Sequence, residues 1–197
     1  MFVSFFSTFA PAALSVTIRD DLDLTDKDIA YADIAAVAGT VVSRILLGSV
    51  CDLFGPRIAH AILMLLTSVG VFCFAIISSP LAYIICRLIV GLSLGTFVAC
   101  QYWSSVVFNV RIVGRANAAG AGAGASGGGV TQLIMPFVYV IFIQFFEPFM
   151  AWRVALLVPG ALHVLVALLI LSSTQDLPDG SFSELIRKGQ MKKASTW

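Results

Sequence analysis

The sequence has 197 residues, of which 59% are hydrophobic and 12% charged, with a formal net charge of +1 and a mean hydropathy of +0.97. Soluble domains run at roughly 45–50% apolar and about 25% charged, so this composition excludes an ordinary soluble enzyme and points to a membrane protein. The Lys and Arg residues form no basic stripe, so the charge balance gives no sign of a nucleic-acid partner and none is expected.

A spanning helix needs about 20 mostly apolar residues, and six stretches supply them: 2–18, 30–51, 58–78, 81–104, 116–145 and 152–172. The first, within MFVSFFSTFAPAALSVTI, lacks the positive leader of a signal peptide. It opens on apolar residues with no polar tail, as a truncated first helix would. The following RDDLDLTDKD carries Asp20, Asp21, Asp23, Asp26 and Asp28, expected to form a solvated face. On the second span Asp33 and Asp52 lie near the ends, so no acid is expected mid-membrane and no proton-relay carboxylate is read here. Arg44 differs, because AVAGTVVSRILLGSV surrounds it with apolar residues for two turns on each side. It stands about eight residues, or roughly 12 Å, from Asp52. Burying a guanidinium costs roughly 2.5–3.5 kcal/mol on insertion scales. It can snorkel, or its planar fork can bind two oxygens of an oxyanion in parallel.

DLFGPR joins the second span to the third. The fourth span carries Arg87 near one end, expected to snorkel or to pair structurally, and the small pair Gly91 and Gly95. FNVRIVGR then leads into the run GRANAAGAGAGASGGGVTQ. Gly122, Gly124 and Gly127 have the G-x-G-x-x-G spacing of a dinucleotide cradle, but a polar connection precedes them where a buried strand is required. A solvated linker is excluded by the apolar span that follows. Small residues four apart let helix backbones approach in lipid. Gly120, Gly124 and Gly128 make one such stripe, and Ala121, Ala125 and Gly129 an adjacent one, both expected to pack against neighbouring helices. His163 on the sixth span reads as a packing residue. From residue 175 the chain becomes a polar tail with room for one short amphipathic helix. Residues 1–174 thus form one transmembrane bundle and 175–197 a tail. The cysteines Cys51, Cys73, Cys86 and Cys100 have no metal-ligand or disulfide spacing and read as apolar packing residues. No cofactor or metal is expected.

Orientation follows from Lys and Arg in short loops. Arg57, Arg111, Arg115, Arg187, Lys188, Lys192 and Lys193 fall on one side, against Arg19, Lys27 and Arg153 on the other. This predicts a multi-pass protein with both ends cytoplasmic.

Gly48, Asp52, Gly55 and Arg57, in GSVCDLFGPR, make the spacing G-x-x-x-D-x-x-G-x-R. This resembles the loop between the second and third helices of the major facilitator superfamily. SRILLGSVCDLFGPR, GTFVACQYWSS, GGGVTQLIMP, AWRVALLVPG and TQDLPDG, in that order over residues 1–178, resemble the nitrate/nitrite porter family, and more closely the high-affinity nitrate transporters of plants and algae. The resemblance implies an all-α membrane protein forming the six-transmembrane-helix half of a major facilitator fold, a missing C-terminal half, and alternating access around an anion at the midplane. It implies a non-enzymatic carrier in the plasma membrane. Nitrate or nitrite is the cargo, protons are candidate co-substrates, and a small single-span accessory protein is a candidate partner. By the same resemblance Arg44 grips the anion. Phe97 and Phe9 are candidate aromatic neighbours, and Gly124 and Gly127 belong with Gly122, Gly128 and Gly129 to the family's fifth-helix signature. That signature departs at Ala123 and Ala125, where the family carries Trp and Asn. The competing reading is a self-associating six-helix membrane protein, a regulator or sensor without transport.

Overall fold

In a computed structural model of the chain, residues 1–177, 180, 181, 185, 188 and 189 are described. The helices begin where the local chemistry dictates. Thr25 caps α3 (Asp26–Phe54) through a capping box, its hydroxyl accepting from the Asp28 N–H while the Asp28 carboxylate accepts from the Thr25 N–H at 2.9 Å. Proline, pre-set for helical φ and needing no N–H partner there, occupies the first position of α4 (Pro56–Cys73), α5 (Pro80–Gly91) and α8 (Pro148–Ser173). Between α3 and α4 stands Gly55 at φ +85°, a conformation that disfavours a Cβ.

The first span is broken. α1 (Phe2–Ala13) and α2 (Ser15–Leu22) meet at Leu14 with a bend of 49°. Pro11 inside α1 removes a backbone donor and crowds the preceding turn. The predicted 2–18 helix therefore continues to Leu22, where Asp23 closes it in the left-handed conformation. The fourth span is continuous in length but changes pitch, with a 3-10 turn at Leu92–Gly95 between α5 and α6 (Thr96–Val107). α7 (Val113–Phe142) contains the whole glycine run. Together five helices, α5 through α6 counting as one, are long and apolar enough to cross a membrane, or six if the bent pair is one span. Large apolar side chains such as Ile34, Val41, Ile45, Leu133 and Phe137 lie exposed on α3 and α7, a distribution suited to lipid or protein cover and not to water. The molecule is an all-α, multi-pass membrane protein.

Three pairings dominate the packing: α1 on α7, α3 on α5 and α4 on α8. The larger core cluster, including Phe6, Leu14, Ile18, Phe74, Met135, Trp152 and Leu156, fills the half nearer Arg153. The smaller one, Leu47, Cys51, Ala59, Leu63 and Ala99, fills the half nearer Arg57. Beyond α8 the chain doubles back: the Trp103 indole donates to the Asp176 carbonyl at 2.8 Å, and Leu177 and Leu185 pack by Val106. The predicted tail helix falls mostly outside the described residues.

Two expectations need correction. Asp21 is not part of a solvated face: its carboxylate accepts from Arg153 at 2.8 Å and from the Trp152 indole at 3.2 Å. Arg153 also donates to the Ile77 carbonyl at 3.0 Å and stacks on Phe149 and Trp152, so it joins α2, α8 and the turn after α4. Asp33 is not a helix-end residue, because α3 starts at Asp26 and places it about two turns inside.

Candidate functional site

The α3–α5 crossing is as close as backbone allows. A Cβ on Gly39 would lie 2.3 Å from the Leu88 carbonyl oxygen, and one on Gly91 would lie 2.2 Å from that of Ala36. Thr40 closes the crossing by donating to the Gly91 carbonyl at 3.0 Å and to Ala36 at 2.9 Å. One turn on, Gly95 sits under Ser43, 2.7 Å separating its would-be Cβ from the Ser43 Oγ. This approach, followed by the tightened 3-10 turn, delivers the first turn of α6 to the side of α3. Arg44 and Phe97 meet there, the guanidinium carbon 5.1 Å from the ring centroid. That geometry is a cation–π contact, worth about 0.5–2 kcal/mol depending on desolvation.

Arg44 is exposed, and Phe97 half-buried. Elsewhere the span-embedded arginines have protein acceptors. Arg87 pairs with Asp33 and donates to the Thr8 carbonyl at 3.1 Å, so of the two expectations for it, snorkelling or pairing, the structure shows pairing. Arg153 holds Asp21, and Arg57 donates to the Leu171 carbonyl at 3.0 Å. Among the described residues Arg44 forms no ion pair. Its donors are left available beside an aromatic face.

The other candidates lie apart from this pair. Gly124, Gly127 and Gly128 form the surface on which α1 rests. A Cβ at Gly127 would stand 2.4 Å from the Phe2 carbonyl oxygen, one at Gly124 2.2 Å from Met1 Cε, and one at Gly128 3.1 Å from the Phe9 ring. Phe9 is thus placed against the glycine face of α7, and Thr131 fastens the same seam by donating to the Phe6 carbonyl at 3.1 Å. Gly120, Gly122 and Gly129 meet no heavy atom within 4 Å. The two adjacent stripes therefore resolve into one packed face, Gly124, Gly127, Gly128 and Thr131, and one open face.

The loop motif is assembled as a clasp. The Gly55 N–H donates to Cys51 at 2.9 Å, Asp52 lies beside the Tyr102 hydroxyl of α6, and Arg57 caps the last turn of α8, a favourable place for a cation. Gly48 has open space where a Cβ would be. His163 is fully buried and its Nε2 lies 3.0 Å from the Ser7 hydroxyl, linking α8 to α1. Sequence reasoning missed Gly39, Ser43 and the partners of Arg87 and Arg153. The signal available was depth: Asp33 and Arg87 each stand seven residues past the first residue of their spans, the second and the fourth.

The family model described as Major Facilitator Superfamily matches residues 1–193. High-affinity nitrate transporter 2.3 of Oryza sativa subsp. japonica is 44% identical over 195 residues, 98% of this chain and 38% of the relative. High affinity nitrate transporter 2.5 of Arabidopsis thaliana is 45% identical over 193 residues, again 98% of this chain and 38% of the relative. Nitrate transporter 2.1 of Chlamydomonas reinhardtii is 43% identical over 199 residues, 100% of this chain and 36% of the relative. The chain thus spans well under half the length of these relatives, and the stretch it matches is their N-terminal half.

Proposed function

Because this chain belongs to the major facilitator superfamily, and its similar proteins carry the name of nitrate transporters, we propose that it is the N-terminal half of a secondary active nitrate or nitrite transporter. The observation that carries the reading is the Arg44–Phe97 pair: an exposed guanidinium deep in an apolar helix, 5.1 Å from an aromatic ring and without an acid. A planar oxyanion matches its fork, taking two parallel N–H donors. The Phe97 ring holds the fork's orientation and excludes water from one side. A second half, supplied by the remaining length seen in the relatives, covers the exposed face of α3 and completes the cavity at the midplane, and access alternates by rocking of the halves. Residues 1–174 act as one bundle, 175–197 begin the cytoplasmic connection, and both ends face the cytoplasm at the plasma membrane. Phe9, Gly124 and Gly127 serve this site indirectly, by seating α1 against α7. A single-span accessory protein is an additional candidate partner.

The test is nitrate uptake by the complete protein carrying this chain, with Arg44→Lys as the variant. Lysine keeps the charge and loses the fork, and a hydrogen bond to a charged group is worth about 1.5–3 kcal/mol. Uptake affinity should therefore fall by roughly 10- to 100-fold. Normal uptake in that variant would remove Arg44 from the site. The competing reading, self-association through the open Gly120, Gly122 and Gly129 face, predicts a stable homodimer of the 197-residue chain by native mass spectrometry and no uptake.

A further inference from the structure

The Phe97 ring arrives beside Arg44 through the change of pitch in the fourth span. The 3-10 turn winds its four residues, Leu92–Gly95, at about 120° each, against about 100° in an α-helix, so it rotates everything after it by roughly 80° relative to an unbroken helix. Phe97 is the second residue of α6. Without the turn it would stand about a quarter-turn round the span, off the side that faces Arg44. The sequence LSLG holds no proline to impose the tighter winding, and 3-10 hydrogen bonds are poorer than α-helical ones, so the turn needs support from its neighbours. α3 and α1 supply it at the last two residues of α5, where the Thr40 hydroxyl donates to the Gly91 carbonyl at 3.0 Å and the Thr8 hydroxyl to the Val90 carbonyl at 3.2 Å. Within the turn, the Ser93 hydroxyl donates to the Ser4 carbonyl at 3.3 Å and is hydrogen-bonded to the Thr8 hydroxyl. Thr96 closes the turn by donating to the Ser93 carbonyl at 2.7 Å. Ser4, Thr8, Ser93 and Thr96 are all buried, where a hydroxyl must find its partner within the protein.

We propose that Ser93 is a positioning residue for the anion site: its hydroxyl, tied to Ser4 and Thr8 of α1, holds the 3-10 turn and so keeps the Phe97 ring beside Arg44. The inference rests on the transport reading above and adds the residue that sets the geometry of the Arg44–Phe97 pair. Ser93 acts through the backbone and does not touch the anion. It is the second residue of the turn, and at α-helical pitch it would be rotated by about 40°, away from α1. Its bonds to α1 therefore form only when the turn is wound tightly, and the same winding brings Phe97 to α3. Gly91 under Ala36 and Gly95 under Ser43 make room for this arrangement, but a missing side chain removes a clash and supplies no bond. The first span is thereby linked to the aromatic wall of the site through the pitch of the fourth.

The experiment is calorimetric titration of the complete protein in nanodiscs with nitrate. Ser93→Ala should weaken binding by roughly 2- to 30-fold, the range expected for loss of the cation–π contact. Adding Ser93→Ala to Phe97→Leu should weaken binding no further than Phe97→Leu alone, because both act through one ring. Wild-type affinity in Ser93→Ala, or losses that add in the double variant, overturns the proposal. A ring-fluorinated phenylalanine at position 97 reads the contact without nitrate: its fluorine-19 resonance should shift on Arg44→Gln, and in a Ser93→Ala background that response should be lost. An undiminished response there also overturns the proposal. Arg44→Lys separates the two claims, since undiminished nitrate binding in that variant sinks the transport site while the fluorine comparison still judges Ser93.

Discussion

Replacing Gly91 with alanine puts a methyl 2.2 Å from the Ala36 carbonyl oxygen and 2.8 Å from that residue's carbonyl carbon and Cα. None of these atoms can rotate away, since all are helix backbone. Ordinary contact begins near 3.4 Å, so α3 and α5 must separate by about 1.2 Å. Overpacking of this kind costs about 1–3 kcal/mol. The separation also stretches the Thr40 to Gly91 hydrogen bond from 3.0 Å past useful reach, and interhelical bonds of this type average about 0.6 kcal/mol with a ceiling near 1.7. The expected loss is about 2–4 kcal/mol of stability. Unfolding in mixed micelles, with sodium dodecyl sulfate as denaturant and far-UV circular dichroism as readout, measures it. Gly129→Ala is the control, because nothing lies within 4 Å of its would-be Cβ and alanine is the better helix former by up to about 1 kcal/mol. A Gly91→Ala protein as stable as wild type or as Gly129→Ala would refute the close-crossing account. A Gly39→Ala, Gly91→Ala double variant should lose less than the sum, since one separation relieves both clashes.

Gly55→Ala forces a Cβ into φ +85° and should cost about 1–2 kcal/mol, read in the same unfolding assay. Asp21→Ala strands the buried Arg153 guanidinium and should cost about 3–5 kcal/mol, with much of the loss recovered by adding Arg153→Met; no recovery would mean that Arg153 acts mainly through its aromatic and carbonyl contacts. Phe97→Leu removes the ring over Arg44, and nitrate affinity should weaken by roughly 2- to 30-fold, the equivalent of a cation–π contact, in an isothermal binding titration.

The sequence announced its helices through unbroken apolar length, and the loop motif placed the Gly55 turn correctly, because both signals are local. Boundaries drifted where caps outweighed hydropathy: Thr25 and Asp28 start α3 four residues before its apolar stretch, and Pro148 starts α8 before its own. Arg44 was legible as an anomaly, a charge with no local reason to be where it is. Its contact with Phe97 was not derivable from spacing, since it depends on how closely Gly39, Gly91 and Gly95 let two helices approach. The fate of Asp21 was hidden for the same reason. An acid among acids in a connection looks solvated until a partner more than a hundred residues away is folded onto it. The glycine run showed that close packing occurs but not on which side, because small residues cover most of the circumference of α7.

The long reach of α1 bears on how the chain is made. The Thr131 hydroxyl bonds the Phe6 carbonyl across 125 residues of chain, and Ser7 meets His163 across 156. At about 5–20 residues per second of synthesis, α1 leaves the ribosome roughly 6–25 s before the part of α7 that receives it. During that interval Ser7, buried in the finished bundle, has no histidine to meet and the Phe6 carbonyl has no Thr131, although Thr8 and the Ser4 carbonyl can already reach Ser93. The helix that begins the bundle is therefore the one that must wait longest in the insertion machinery, and a nascent chain stalled before Gly124 should present α1 to membrane chaperones as an unfinished, polar-faced span.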